Sequence, residues 1–427
     1  MNILGLPEAE VLALAAAVRI QPSGTEPESE SDPVIAATDV FARAAWSGIT
    51  EPGDGVAGLL VSSLGAQEAL TAVLDSWNPA RIAESLARNG VDDTEDELGS
   101  SLEQGLLRWR PRLSSTEVVR CLQQAHRVGA RLLLPHDQMW PRSIDDLGAH
   151  APLALWWRGT PAALAGLDNS LALVGARAAT GYGEHVAMEA SAGLVDRGFT
   201  IVSGAAYGID GMAHRAALAS DGLTVAFLAG GVDRFYPSGH DALLTRIAVD
   251  GAVLSELPCG AAPTKWRFLQ RNRLIAASSL ATIVLEAGWR SGSLNTAGHA
   301  AALGRPLGAV PGPVTSPTSA GCHRLIREFD AVCVTTPAEM AELVGDRTVQ
   351  VPLDFSGVEG TGPGDTGRGR TSDQTRVFDA LSARAPRSIP ELARRSGLSP
   401  GAVRGALGAL DLEGAAGERE AGWVRCA

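Results

Sequence analysis

Leu171-Ala172-Leu173-Val174-Gly175 is a short apolar run that ends in a glycine. Similar apolar runs follow, separated by helical patterns, at 200–203, 224–228, 252–255, 281–285 and 306–310. Runs without polar positions are typical of strands that are buried on both faces. Their alternation with helices predicts an α/β fold, namely a Rossmann-like, doubly wound, mostly parallel sheet. Such sheets bind ligands beyond the carboxyl ends of their strands.

The rest of the chain predicts four further regions around this sheet. Residues 1–35 contain a weak apolar helix and a Pro/Ser/Glu-rich stretch that predicts disorder. Residues 36–127 show helical periodicity and predict a small helical domain, and residues 128–345 form the Rossmann-like domain. Residues 346–372 are glycine-rich and predict a flexible linker. Residues 373–427 show three helical patterns and a strand pair, which predicts a winged helix-turn-helix.

Charge and cysteine content limit the possible function classes. The net charge is −12, but the acidity is concentrated in residues 1–170, with 12 basic and 23 acidic side chains. Charges beyond about one Debye length, ~8 Å, are screened, so a local basic cleft is still compatible with this charge. Five scattered cysteines without CxxC spacing predict a reducing, cytoplasmic environment and no metal site. We expect no signal peptide and no membrane span.

A basic, aromatic-flanked run lies in the segment 263–273. Its four cations are Lys265, the only lysine of the chain, and Arg267, Arg271 and Arg273. Trp266, Phe268 and Asn272 are interleaved with them. Cations meet phosphates and aromatic rings stack on bases, so the run predicts a site for a polyanion with flat faces. The alternative is a surface helix start with solvated charges.

Three strand-end loops add small residues that would allow a phosphate to approach backbone amides. These loops contribute Arg177 after the first strand, Ser203 and Gly204 after the second, and Ser291, Gly292 and Ser293 before a helix expected to begin at about Asn295. We expect all of these residues to contact the polyanion. A further set is expected to shape the cleft: Gly175, Gly208, Asp210, His214, Glu256 and Glu286. Within this set, Asp210 is interpreted as a helix cap, His214 as an interior hydrogen-bonded histidine and Glu256 as a partner for an arginine.

These loops, taken in chain order, resemble the DNA-processing protein A (DprA/Smf) family. The matching residues are Val174-Gly175-Ala176-Arg177, Thr180-Gly181-Tyr182-Gly183, Ser203-Gly204, Gly208-Ile209-Asp210, Ala213-His214, Tyr236-Pro237, Ser255-Glu256, Phe268, Arg271-Asn272-Arg273, Glu286-Ala287, Ser291-Gly292-Ser293-Leu294, Thr296-Ala297, Val310-Pro311-Gly312, Gly321 and Leu325-Ile326. His323 and Ala176 depart from the usual pattern.

The resemblance implies a cytosolic homodimer that binds single-stranded DNA. It implies that the protein protects incoming DNA and loads RecA recombinase during natural transformation, without a cofactor and without catalysis.

Two alternatives from other classes remain at the level of the sequence. One is a nucleotide phosphoribohydrolase on a similar sheet, but its PGGxGTxxE pattern is absent. The other is a winged-helix transcription regulator, whose recognition helix over about 399–412 would offer only Arg404 to read bases. A Ser-His-Asp triad with His299 or His214 lacks the G-x-S-x-G elbow, and no Walker A pattern is present.

Overall fold

The computed structural model describes residues 2–3, 5–19, 33–91, 97–345, 370–419 and 421–426. The stretch 20–32, which carries most of the predicted disorder, lies outside the described residues. So does 346–369, which makes up nearly all of the predicted linker.

The N-terminal part is helical. Its elements are β1 (Asn2–Ile3), β2 (Leu6–Pro7), α1 (Glu8–Val18), α2 (Pro33–Ile49), α3 (Gly55–Leu64), α4 (Ala66–Leu74), α5 (Pro79–Arg88), α6 (Glu97–Trp109) and α7 (Ser115–Arg127). Helix α1 buries Val11, Ala15 and Val18 and packs against α2 and α7. The helix predicted within residues 1–35 is therefore present, and it packs as part of the helical unit.

Among the described residues no single helix is long and apolar enough to cross a membrane. Helices α3 and α4 reach that length and composition only when taken together, across a bend of 114°.

The central part alternates strands with helices. The strands are β3 (Arg131–Leu133), β4 (Leu155–Gly159), β5 (Ser170–Gly175), β6 (Thr200–Ser203), β7 (Thr224–Phe227), β8 (Ala252–Ser255), β9 (Ala281–Glu286), β10 (Leu307–Ala309) and β11 (Val332–Cys333). The helices are α8 (Pro161–Ala165), α9 (Gly181–Val195), α10 (Ile209–Ala219), α11 (Asp241–Asp250), α12 (Lys265–Ser278), α13 (Ser293–Ala302), α14 (Ala320–Glu328) and α15 (Pro337–Glu342).

These strands form one sheet in the order β11-β10-β9-β5-β6-β7-β8-β4-β3. The pairs from β11 to β8 are parallel, whereas β4 pairs antiparallel with both β8 and β3. The predicted Rossmann-like, mostly parallel sheet is confirmed. Successive strands run outward from β5 to β8 on one side and from β9 to β11 on the other. The strand order therefore reverses between β5 and β9, which is where open α/β sheets bind their ligands.

The helical unit and one face of the sheet share a hydrophobic core. Trp46 and Trp109 of the helical unit meet edge to face, with ring centroids 5.3 Å apart. Trp156 on β4 belongs to the same buried cluster, and its indole N–H donates to Ser47 Oγ at 3.1 Å. Large aromatic side chains contribute much buried apolar area. The helical unit is therefore fastened to the sheet by packing and not only by the connecting chain.

The C-terminal part has its own small core. It comprises α16 (Ser372–Ala380), α17 (Ile389–Ser396), α18 (Pro400–Leu412) and the antiparallel hairpin of β12 (Ala416–Arg419) and β13 (Gly422–Arg425). Ser388 and Ser399 cap α17 and α18 by accepting backbone N–H groups. Val377, Leu392 and Leu410 are buried between the three helices. Three helices and a hairpin confirm the predicted winged helix.

Candidate nucleic-acid interface

The turns after β5 and β6 pack tightly against each other at the carboxyl edge of the sheet. Gly208 has a φ of +76°, and a Cβ there would lie 2.2 Å from the carbonyl oxygen of Ala176. A Cβ at Gly204 would lie 2.0 Å from Nη1 of Arg271. Both positions therefore require glycine. Gly208 needs it for its positive φ and for the close approach of Ala176, and Gly204 needs it for the close approach of Arg271.

Arg271 is the centre of this packing. It is 5% exposed, and its Nη1 donates to the carbonyl oxygens of Gly204 at 2.6 Å and Phe227 at 2.5 Å. Burial lowers the pKa of Arg271 to about 10, against the attraction of Asp210. The guanidinium thus ties α12 to the ends of β6 and β7.

Asp210 completes this network from the first turn of α10. Its Oδ2 accepts the backbone N–H groups of Gly204 at 3.2 Å and Ala206 at 3.4 Å. Burial raises the pKa of Asp210, while the Arg271 guanidinium and these N–H groups oppose the rise. The residue at the N-cap of α10 is Gly208, so Asp210 braces the preceding turn and does not act as the N-cap that the sequence predicted.

His214 lies in the same helix with no exposed surface. Its Nδ1 is 2.7 Å from Thr224 Oγ1, and that hydroxyl itself donates to the carbonyl oxygen of Ile201. We therefore place the ring proton on Nδ1, which leaves Nε2 buried without a partner among the described residues. Burial, reinforced by the nearby His240 and Arg271, lowers the pKa of His214 to about 3. His214 is thus neutral at physiological pH.

The other two arginines of the basic run point elsewhere. Arg273 is 3% exposed and pairs with Glu256 at 2.8 Å. Arg267 makes two bonds to Glu51, with Nε 3.0 Å from Oε2 and Nη2 2.7 Å from Oε1.

The expectation that Arg267, Arg271 and Arg273 grip one polyanion together is therefore wrong for this structure. Helix α12 begins at Lys265, so all three arginines lie on a helix. A helix rotates by about 100° per residue, so Arg273 projects from nearly the opposite side of α12 to Arg271. Arg271 and Arg273 are buried and Arg267 is partly buried, and each guanidinium is bonded to protein acceptors.

The polar loop residues that the sequence singled out are partly used inside the protein. Ser203 Oγ donates to the carbonyl oxygen of Leu173 at 2.6 Å and is fully buried. Asn272 Nδ2 donates to Asn295 Oδ1 at 3.1 Å. The hydroxyls of Ser291 and Ser293 lie 2.8 Å apart, and α13 begins at Ser293, two residues earlier than expected. Of this set, Gly292 is exposed and Ser291 is partly exposed.

Glu286 ends β9 at the point where the strand order reverses. Its carboxylate accepts the backbone N–H of Thr180 at 2.9 Å and the hydroxyls of Thr180 at 2.7 Å and Thr318 at 2.8 Å. Thr180 is the N-cap of α9, so Glu286 fixes the start of that helix against β9. Its carboxylate is occupied by these internal hydrogen bonds.

Four cations remain exposed at the carboxyl edge. They follow β5, β7, β8 and β9 in the sheet, and they are Arg177, Arg234, Lys265 and Arg290. None forms an ion pair with another residue that the structure describes. Arg177 lies over the ring of Phe268 at 5.2 Å. Arg234 and Arg290 were not predicted as site residues. Their position in the loops that follow strand runs is the signal that could have found them.

Exposed aromatic rings accompany these cations. Tyr182, Tyr207, Tyr236 and Trp289 are 42%, 47%, 53% and 55% exposed. The ring of Tyr236 packs on Phe268 with centroids 5.5 Å apart. The carboxyl edge therefore combines free positive charge with exposed π-faces.

The start of α12 also contacts the winged helix. Asp379 of α16 accepts the backbone N–H of Lys265 at 2.8 Å. Arg376 of the same helix lies over the ring of Trp266 at 5.3 Å. A cavity of about 550 Å³ lies at this junction, between the helical unit, α12 and the winged helix.

Glu51, in the loop between α2 and α3, is the charge centre of this junction. It pairs with Arg267 and, at 2.9 Å, with Arg112. Burial raises the pKa of Glu51, but the attraction of Arg267, Arg112 and Arg376 outweighs this and lowers the pKa to about 2. The carboxylate is thus ionised and balances several arginines.

We expect Arg271→Ala to destabilise the protein by about 3–5 kcal/mol, because it leaves the buried charge of Asp210 uncompensated and takes a donor away from two carbonyl groups. Arg177→Ala, at an exposed position, is the matched control and should change stability by no more than about 0.5 kcal/mol. Thermal or urea unfolding measures both. Equal effects of the two variants would show that Arg271 has no structural role.

Glu51→Gln should destabilise the protein by about 3 kcal/mol at neutral pH, because the carboxylate's folded pKa lies below its unfolded value. This contribution is fully present above pH 4.5 and is lost as the pH falls towards 2. Urea unfolding of wild type and variant at pH 7 and pH 3 tests this. A difference in stability between the two proteins that is the same at both pH values would contradict it.

Known protein families match most of the described chain. The family model described as "DNA recombination-mediator protein A" matches residues 131–345, and the one described as "DprA winged helix domain" matches residues 362–422.

Individual relatives agree with these matches. The chain is 47% identical over 313 residues to the putative DNA processing protein DprA of Mycobacterium tuberculosis, covering 71% of this chain and 78% of the relative. It is 35% identical over 216 residues to the DNA processing protein DprA of Bacillus subtilis, covering 51% of this chain and 71% of that protein. The X-ray structure of DNA processing protein A from Streptococcus pneumoniae superposes with a TM-score of 0.56 at 28% identity, over 72% of this chain and 97% of that one. This chain belongs to the DNA recombination-mediator protein A (DprA/Smf) family.

Proposed function

We propose that this protein binds single-stranded DNA along the carboxyl edge of its sheet. In this proposal it is a cytoplasmic recombination mediator that protects incoming DNA and loads RecA during natural transformation. It acts as a homodimer and without catalysis. Family membership and the relatives named as DNA processing proteins support the general role. The parts concerning RecA, the dimer and the compartment follow from the motif resemblance.

The observation that carries DNA binding is the set of four exposed cations at one edge of an acidic protein. The chain has a net charge of −12, yet Arg177, Arg234, Lys265 and Arg290 are exposed there without carboxylate partners among the described residues. Free cations attract a polyanion because phosphate contacts release condensed counterions. The acidic remainder of the protein should reduce binding elsewhere on its surface.

The absence of catalysis is supported by how the acidic groups at the edge are used. Asp210 and Glu286 accept several internal hydrogen bonds each, and Glu256 pairs with Arg273. A general acid or base needs a proton-exchanging atom within reach of the substrate. These carboxylates are instead occupied in holding turns and helices.

The winged helix offers less to DNA. Its third helix, α18, carries one cation, Arg404, which is exposed. Sequence-specific duplex readers usually place several polar or basic side chains on such a helix. We therefore assign the main binding surface to the sheet edge and not to α18.

The double variant Arg177→Ala with Lys265→Ala should bind single-stranded DNA about tenfold or more weakly, because each charged hydrogen bond to a phosphate is worth about 1 kcal/mol or more. The slope of log affinity against log salt should become shallower by roughly 0.7 for each phosphate that the variant no longer neutralises. Fluorescence anisotropy with a labelled oligonucleotide over a salt series measures both quantities.

Arg404→Ala is the matched control, since it removes an exposed arginine from α18. It should leave single-strand affinity and the salt slope unchanged. If Arg404→Ala weakens binding while the double variant does not, the sheet edge is not the binding surface. RecA filament formation on the same oligonucleotide should be faster with the wild-type protein and not with the double variant. That outcome would support RecA loading through the same surface.

A further inference from the structure

All three tyrosines of this chain lie at the carboxyl edge of the sheet and are exposed. They are Tyr182 at the start of α9, Tyr207 after β6 and Tyr236 after β7. Trp289, after β9, is exposed at the same edge. An exposed ring gains little from the hydrophobic effect, so a group of exposed rings indicates a surface that binds something.

The rings are held in position by the protein. Tyr182 donates its hydroxyl to the carbonyl oxygen of Pro311 at 2.7 Å. Tyr207 accepts the backbone N–H of Gly239 at 3.2 Å, and its ring meets His240 edge to face at 4.8 Å. Rings fixed in this way lose little conformational entropy when a ligand stacks on them.

The points at which the four rings are attached to the chain follow the order of the strands. Strands β9, β5, β6 and β7 are neighbours in the sheet, and the loops or helix starts after them carry Trp289, Tyr182, Tyr207 and Tyr236 in that order. Neighbouring strands lie about 4.8 Å apart, so the four attachment points cover roughly 15 Å across the sheet. This length suits several nucleotides in a row and is more than a single nucleotide needs.

Exposed cations accompany the rings on three of these four segments. Arg290 follows Trp289 directly, Arg177 precedes Tyr182 by five residues, and Arg234 precedes Tyr236 by two. A ligand that contacts both the cations and the rings along this edge needs a negative charge and a flat face in each of its repeating units. A single nucleic-acid strand has this chemistry, whereas a duplex hides its base faces in the stack.

We propose that Trp289, Tyr182, Tyr207 and Tyr236 form a stacking row on which bases of single-stranded DNA lie as the strand crosses the sheet from β9 to β7. This inference rests on the proposed function and adds that the protein holds the bases as well as the phosphates. Stacking accepts every base, so the row gives tight binding without sequence specificity.

The test compares a mixed-sequence oligonucleotide with an abasic one of the same length and charge. Wild type should bind the base-bearing strand at least about tenfold more tightly, because one well-stacked base is enough for that factor. Anisotropy competition at fixed salt gives the ratio of the two affinities.

Ring-removing and ring-retaining variants locate the effect. Trp289→Leu and Tyr236→Leu should lower the affinity ratio between the two oligonucleotides, while Trp289→Phe and Tyr236→Phe should keep most of it. Affinity for the abasic strand should stay the same in all four variants, since the phosphate contacts are intact.

The outcomes separate this inference from the proposed function. Equal wild-type affinity for the two oligonucleotides would overturn the stacking row and leave single-strand binding in place. Leucine variants that weaken both oligonucleotides equally would also overturn it, because the rings would then act only on protein structure. Failure of wild type to bind either oligonucleotide would overturn both proposals.

Discussion

The buried guanidinium of Arg271 is the interaction on which the carboxyl edge depends. It bonds to the carbonyl oxygens of Gly204 and Phe227, at the ends of two neighbouring strands, and it offsets the charge of buried Asp210. A buried charge without partners is strongly destabilising, so the two turns and α12 can only be arranged in a way that satisfies this group. This constraint places Phe268 and Lys265, about one and two turns earlier on α12, near the edge of the sheet.

Charged residues serve two separate purposes in this protein. Arg271 and Arg273 are buried and Arg267 is partly buried. They join α12 to the strand ends, to Glu256 and to the helical unit, respectively. The exposed cations, such as Arg177 and Lys265, have no ion-pair partner among the described residues and remain available to a ligand. Because Glu51 and Asp379 contact the first two turns of α12, the winged helix and the helical unit fix the segment that carries Lys265. The arginines that hold the edge together are therefore different residues from the cations that it leaves exposed.

Much of the fold was predictable because hydrophobic patterning is a local signal. The apolar runs from 171 to 310 all became strands of the sheet, whereas β11 was missed because it is only two residues long, Val332–Cys333. The site was harder to predict. Its four basic residues in nine suggested one cationic surface, but α12 turns about 100° at each residue and sends them to different partners. Tyr207 and Arg290 were missed because isolated loop residues have no periodicity, and only the strand order brings them to one edge.

A crystal structure of the protein with a short single-stranded oligonucleotide tests the central claim most directly. We expect phosphates to lie against Arg177 and Lys265, bases to lie on the exposed rings, and Arg271 to keep its bonds to Gly204 and Phe227. A complex in which Arg271 has left those carbonyl groups to bind a phosphate would contradict the division between structural and ligand-binding cations. A strand bound only to the winged helix would contradict the location of the site.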